Sequence, residues 1–338
     1  MKLIEITDRE KLILYAVIDN YIKTGETISS INIVARYKIN LSSATIRNEM
    51  SYLQEIGFLK KPHVSSGRIP TNDGYKYYIN YILKLKKVSS KVKKILEGLY
   101  DQKNANKNEV FLSTVNKLSE ITNCIAFSLE TKYFNIIENI KMIHVEKNSF
   151  VLVVIYKNKK TMTQHLNIEK ELDENNLNKI EILINEKIKI ETIKTMTDLV
   201  YVLKKELDCK NDDLKELLKT NKDKYYLAGL ENIIEMIPDI SSHEMIEITE
   251  MLRNERKSVN FFKEVHNHFK DSQDEIQIIL GDEIGISYFK NLSLIIFGSS
   301  SNNSDFILGL ITPKRINYQK AVSVMQYIVN EIKNFIQD

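Results

Sequence analysis

Cysteine is scarce in this chain: Cys124 and Cys209 are the two in 338 residues. Two thiols make neither a disulfide framework nor a cysteine-built zinc site, and a reducing cytosol is the expected compartment. Glycine and proline are also few, at 10 and 4, which excludes collagen-like and low-complexity architectures. No unbroken apolar run, Phe150 to Tyr156 included, exceeds seven residues, against about 20 for a membrane-spanning helix. The opening Met1-Lys2-Leu3-Ile4-Glu5 places an acid where a signal peptide would be apolar. Catalytic equipment is equally thin. The six histidines are His63, His144, His165, His243, His266 and His268. His266 and His268 are two apart and diverge on a helix, a poor metal pair, while His144 and His165 fall in predicted strands. No glycine-rich phosphate loop precedes a helix and no serine elbow is present. Cys124 sits in an apolar segment and reads as an inert buried thiol. We therefore expect no enzyme, no metal and no cofactor.

What the chain does have is length for two or three domains and an apolar fraction of 43% to fill their cores. The formal net charge is only +3, but it is unevenly spread. Residues 1–90 carry 14 Lys/Arg against 8 Asp/Glu, an excess of +6; the remainder carries 34 against 37, a net −3. A basic first quarter on a mildly acidic body points to a polyanion as the partner of that quarter.

Thr7-Asp8-Arg9-Glu10 has the form of a capping box. Ile13, Val17 and Tyr21, with Leu14, Ile18 and Ile22, then recur at helical spacing. Gly25 closes this first helix. A second helix runs from Ser29 or Ser30 to about Tyr37, with Ile33 and Val34 inward. Ser42-Ser43-Ala44-Thr45-Ile46-Arg47-Asn48-Glu49-Met50 opens a third. Its serines supply the cap, and Ile46, Met50 and Leu53 form one apolar stripe at about 100° per residue. The opposite surface carries Ala44 and Asn48, flanked by Thr45 and Arg47. A helix entering the DNA major groove needs small residues for close approach and hydrogen-bonding or cationic side chains for base edges. Its N-terminus also offers N–H groups to a phosphate.

After Gly57 the short strand Phe58–Pro62 leads into His63-Val64-Ser65-Ser66-Gly67-Arg68, and Ile69-Pro70 returns. Lys60, Lys61, His63 and Arg68 fall here with no acid between residues 56 and 72. This is the size and chemistry of a wing that touches phosphates or a minor groove. Two short helices, a capped third and a basic hairpin make a winged helix-turn-helix, with Ser42 and Ser43 as caps and phosphate contacts. Thr45, Arg47 and Asn48 are the base readers, and Lys60, Lys61, His63, Ser65, Ser66 and Arg68 the wing contacts. Thr71 caps a fourth helix that reads Tyr75, Tyr78, Tyr81, Ile82 and Leu85.

Residues 86–108 are polar and Lys-rich. Beyond them Cys124–Leu129, Ile137–Glu146, Phe150–Tyr156 and Thr161–Ile168 are strand candidates, the last three spaced for an antiparallel meander. Glu169 to Ile237 is mostly helical by pattern. Strands return at Ile276–Leu280, Leu292–Phe297 and Phe306–Ile311, and a last helix carries Ala321, Val324, Ile328, Ile332 and Phe335. The run Phe150–Tyr156 fits a strand between subunits or a central core strand equally. The fold class is α+β.

Ser42–Met50, Pro62–Thr71 and Gly74-Tyr75-Lys76-Tyr77-Tyr78 together resemble the HrcA family of bacterial heat-inducible transcription repressors. Gly229–Ile233, Asn291–Ile295 and Ile311–Tyr318 extend the likeness along the whole chain. Val64, Ser66, Thr312 and Gly281-Asp282-Glu283-Ile284 depart from the family pattern. The residues themselves give a winged helix at 1–85 and a linker helix at 86–109; the resemblance implies a GAF-like α/β domain at 110–135 and 225–338. It also implies an inserted dimerising domain at 136–224, a three-stranded antiparallel sheet with helices. It implies a homodimeric repressor of chaperonin and related heat-shock operons, acting on the CIRCE inverted-repeat operator. The GroE chaperonin is the implied co-regulator. The alternatives are a winged-helix regulator answering to a small ligand of the GAF-like domain, and a sensor or enzyme for which the winged helix is a docking module.

Overall fold

The computed structural model describes residues 4–63, 66–97, 99, 107–132, 136–157, 159, 161–169, 171–207, 209–219, 223–236, 240–268, 275–300 and 304–337. The fold is α+β, and the chain divides into two compact units. The first comprises Met1–Ser128, Tyr226–Gly298 and Leu308–Asp338; the second comprises Leu129–Tyr225 and Ser299–Ile307.

The first unit opens with α1 (Asp8–Thr24), α2 (Ser30–Tyr37) and α3 (Ser43–Glu55). Each start is set by a hydroxyl. Thr7 closes a reciprocal capping box with Glu10, Ser29 accepts from the Asn32 N–H, and Ser42 accepts from the Thr45 N–H. α1 ends on Gly25 at φ 72°, a left-handed position that glycine occupies without steric cost. A side chain there would also strike the Arg315 guanidinium. Ile13, Leu14, Ile33, Ile46 and Leu53 are fully buried and fuse the three helices. The two-residue strands β1 (Leu59–Lys60) and β2 (Ile69–Pro70) pair antiparallel, Leu59 opposite Pro70. α4 (Asn72–Tyr77), capped by Thr71, follows, and the chain then tightens into a π-helical turn over Tyr78–Ile82 that stops at Leu83. Leu85, expected on the same helix, lies past its end.

Two sequence motifs from opposite ends of the chain meet behind the wing. Lys314 Nζ lies 2.9 Å from Asn72 Oδ1 and 2.8 Å from Asp282 Oδ2, and Asn72 also donates to Asp282. Lys76 pairs with Glu283 at 3.2 Å. Arg315 stands over the Tyr21 ring. The linker contains α5 (Ser90–Leu96), shorter than the 86–109 helix expected, and α6 (Lys107–Thr122) begins before residue 110.

β3 (Ile125–Lys132) enters a five-stranded sheet. β4 (Ile137–Glu146), β5 (Ser149–Tyr156) and β6 (Thr161–Asn167) form a separate three-stranded meander. α7 (Glu174–Lys189), α8 (Met196–Leu207) and α9 (Asn211–Lys219) supply the rest of its core. β7 (Lys224–Ala228) then leads to a short 3-10 turn at Leu230–Met236, α10 (Ser242–Arg253), α11 (Glu255–His268) and β8 (Ile276–Leu280). The short α12 (Gly281–Ile284), β9 (Leu292–Ser300), β10 (Ser304–Pro313) and α13 (Tyr318–Gln337) complete the chain. The strand order is β7-β3-β10-β9-β8. β7 is a correction: its residues fall in a stretch that reads as helical. Lys224-Tyr225-Tyr226-Leu227-Ala228 becomes a strand because it has the edge of β3 to pair with, a tertiary partner that outweighs local pattern.

In the second unit the run Phe150–Tyr156 is neither uniformly buried nor uniformly exposed. Phe150, Leu152, Val154 and Tyr156 point into the helical side, while Val151, Val153 and Ile155 are half-buried on the other face. The buried Glu181 accepts the Met142 N–H at 2.7 Å and Lys141 Nζ at 2.6 Å, and Asn185 brackets Ile140 through its N–H and C=O. These bonds fix α7 against β4.

Candidate nucleic-acid interface

The inward stripe of α3 is Ile46, Met50 and Leu53, all buried. That fixes the outward face by geometry. Ala44, Arg47 and Asn48 are exposed, and so are Ser51 and Tyr52, which lie one turn on from Arg47 and Asn48. Sequence reasoning left out Ser51 and Tyr52, although i to i+4 spacing from Arg47 and Asn48 marks them. Arg9 reaches Glu49 at 3.3 Å and ties α3 to α1. Ser42 is the cap alone; Ser43, expected to share that role, is the first helical residue and is exposed. Ser42 Oγ also lies 2.8 Å from Thr45 Oγ1, so the Thr45 hydroxyl is engaged at the helix start.

The wing is short and basic. Lys60, Lys61 and His63 are exposed. Ser66 donates to the His63 carbonyl at 2.6 Å and accepts the His63 N–H at 3.0 Å, closing the turn. Ser65 lies outside the described residues.

Arg68 differs from expectation. It is not an exposed tip residue but the base of the wing, 9% exposed. Its N–H and C=O pair both ways with Ile28, at 3.1 and 3.2 Å. That two-bond bridge draws the side chain under the hairpin. Burial lowers the guanidinium pKa. Gly67 permits the bridge, because a Cβ there would stand 2.3 Å from the Ile28 carbonyl oxygen.

Arg47 lies on the wing side of α3. With Ser51, Lys61, Ser66 and Arg68 it lines a cleft of about 320 Å³. The candidate interface thus has two parts: an outward helix face centred on Asn48, and a cleft lined by Arg47, Lys61 and Arg68 between that helix and the wing.

A capped third helix with an exposed polar N-terminal half, set beside a basic hairpin, defines a winged-helix DNA-binding protein of the transcription-regulator class. Residues 5–82 match the family model described as winged helix-turn-helix transcription repressor, HrcA DNA-binding. Residues 108–322 match the HrcA protein C terminal domain. The chain belongs to the HrcA family of heat-inducible transcription repressors. It is 30% identical to the heat-inducible transcription repressor HrcA of Fusobacterium nucleatum subsp. nucleatum, over 98% of this chain and 93% of that one. The HrcA of Thermodesulfovibrio yellowstonii is 27% identical over 98% and 99%. In fold the chain resembles a hypothetical protein whose crystal structure is at 2.2 Å resolution, with a TM-score of 0.63, 20% identity and 98% of each chain covered. No helix among the described residues is long and apolar enough to cross a membrane.

Proposed function

We propose that this repressor acts in the cytoplasm as a homodimer on an inverted-repeat operator, the CIRCE element, upstream of chaperonin and related heat-shock operons. The GroE chaperonin keeps it active until unfolded proteins occupy the chaperonin. The observation that carries the DNA part is the exposed face of α3 around Asn48, held beside the cations of the wing. Asn48, with Ala44 allowing close approach, reads a base edge, and Thr45 lies beside it. Ser42 and Ser43 present the helix start to a phosphate. Lys60, Lys61, His63 and Ser65 meet the backbone, and Arg47 on the wing side joins them.

The dimer reading rests on the outer face of the meander. Ile143 stands opposite Val151, Val151 opposite His165 and Val153 opposite Thr163. Ile143 and Val145 are 55% and 49% exposed. The exposed apolar side chains on this face are suited to a second copy of itself, and a two-fold dimer presents two recognition helices to an inverted repeat.

A gel-shift titration against a CIRCE duplex and a scrambled duplex, at two salt concentrations and with and without chaperonin, tests the proposal. Operator-selective binding that tightens with chaperonin is expected. Equal weak binding to both duplexes overturns it. A small molecule that raises the melting temperature and releases DNA is the outcome expected of the ligand-controlled alternative.

A further inference from the structure

The cleft between α3 and the wing contains an unusual group. Arg68 is nine-tenths buried, and its Nε is sealed from solvent without a hydrogen-bond partner. Among the described residues no carboxylate pairs with its guanidinium. Holding a buried cation without a counter-charge costs free energy that an apolar side chain of similar size would not cost. The surroundings sharpen the imbalance: Arg47 and Lys61 line the same cleft and are exposed. Ser30, at the start of the eight-residue α2, closes a third side. The local structure is also held in place, since Arg68 is clamped by both backbone bonds to Ile28 and Ser66 is tied to His63.

We propose that this cleft seats one backbone phosphate of duplex DNA, with Arg68 as the fixed, preorganised donor and Lys61 and Arg47 completing the charge. The phosphate supplies the missing counter-charge, so the guanidinium is paired only in the complex. The inference rests on the DNA-binding reading above and adds the ligand group, the residue that fixes it and the register of the wing on the backbone.

The test is a scan of operator duplexes, each with one phosphate replaced by an uncharged methylphosphonate, titrated with the full-length wild-type protein, Arg68→Gln and Lys61→Ala. One position per half-site should cost the wild type about tenfold or more in affinity, the scale of a charge-assisted hydrogen bond. At that position Arg68→Gln and Lys61→Ala should lose little further. Arg68→Gln should also weaken operator and scrambled duplex alike and flatten the slope of log affinity against log salt by about 0.9 per bound subunit. A folded Arg68→Gln, judged by circular dichroism and melting, that keeps every methylphosphonate penalty overturns the proposal. Should Arg68→Gln fail to fold, Lys61→Ala decides: a lost penalty at one phosphate supports the site, and an unchanged profile overturns it. Inorganic phosphate that raises the wild-type melting temperature, with no DNA phosphate coupled to Arg68 or Lys61, assigns the cleft to a free anion and also overturns it. A wild type that binds no duplex fails the underlying DNA reading, before any variant is made.

Discussion

Two glycines ten residues apart separate wing geometry from general stability. Gly67→Ala places a Cβ 2.3 Å from the Ile28 carbonyl oxygen, and 2.8 Å from the Ile28 N. Both neighbours are backbone, so no side chain can swing away. Restoring ordinary contact needs a shift of about 1 Å, the distance from 2.3 Å to the usual limit near 3.4 Å. The two Ile28–Arg68 bonds, now 3.1 and 3.2 Å, cannot survive that shift. At about 1 kcal/mol net per bond the loss is about 2 kcal/mol, a few degrees in melting temperature. Gly57→Ala makes the opposite case. Gly57 sits at φ 86° with open space around the missing Cβ, so the cost is backbone strain of about 1–2 kcal/mol. Both variants should therefore melt slightly early, and only Gly67→Ala should lose DNA affinity, about tenfold, because it moves Arg68. Native-state hydrogen exchange of the Ile28 and Arg68 amides, alongside gel shifts, checks this. Unchanged protection of both amides in Gly67→Ala, or equal DNA affinity in the two variants, refutes the reasoning.

Four further outcomes follow from named contacts. Asn48→Ala should reduce the preference for operator over scrambled duplex, by about 1–3 kcal/mol for a bidentate base contact, whereas Arg47→Ala should weaken both duplexes alike; the reverse pattern exchanges their roles. Val153→Lys, on the outer face of the meander, should shift the protein to a monomer in sedimentation velocity, and a retained dimer moves the interface elsewhere. Glu181→Leu orphans the Met142 N–H, should cost about 2–3 kcal/mol, and is refuted by an unchanged denaturation midpoint. Burial pushes the Cys124 thiol up to about 11. An acid raised on folding stabilises the protein below its ordinary pKa, so stability should decline from about pH 8.5 towards 11. Buried Tyr78 and Tyr318, also raised by burial, add their own decline above about pH 10. In a Cys209→Ala background, Cys124→Ala should therefore remove the decline between about pH 8.5 and 10, and fast labelling of native Cys124 at pH 8 contradicts it.

The helical half of the winged helix was open to inspection in the sequence because its signals are local. Thr7, Ser29 and Ser42 cap their own helices, and Ile46, Met50 and Leu53 mark the buried stripe without reference to any distant residue. The meander strands were readable for the same reason: polar residues following Glu146 and Tyr156 in the sequence interrupt runs rich in β-branched side chains. What failed depended on partners far away in the chain. Lys224–Ala228 has no strand signal strong enough to stand alone and takes its form from β3. The fourth helix shortens because Tyr78–Ile82 adopts a π turn, a change in backbone winding that side-chain spacing does not encode. That Asn72 meets Asp282 and Lys314 could be guessed from neither segment by itself.

Arg68 shows the same limit at the interface itself. A cation in a Ser/Gly-rich hairpin with no acid nearby has every outward sign of a solvated tip contact, and composition offers nothing to distinguish it from Lys61. The distinction comes from Ile28, forty residues upstream, whose backbone needs two partners and finds them at Arg68 because Gly67 lets the strands close. The bridge buries the guanidinium, and burial turns a mobile surface charge into a fixed one. Fixed donors cost less entropy on binding than flexible ones. Lys60 and Lys61 must give up rotamer freedom to meet a phosphate, while Arg68 has given it up during folding. The free energy for that ordering came from the hydrophobic core of the three helices, which links Ile13, Ile33 and Leu53 to the strength of a contact none of them makes.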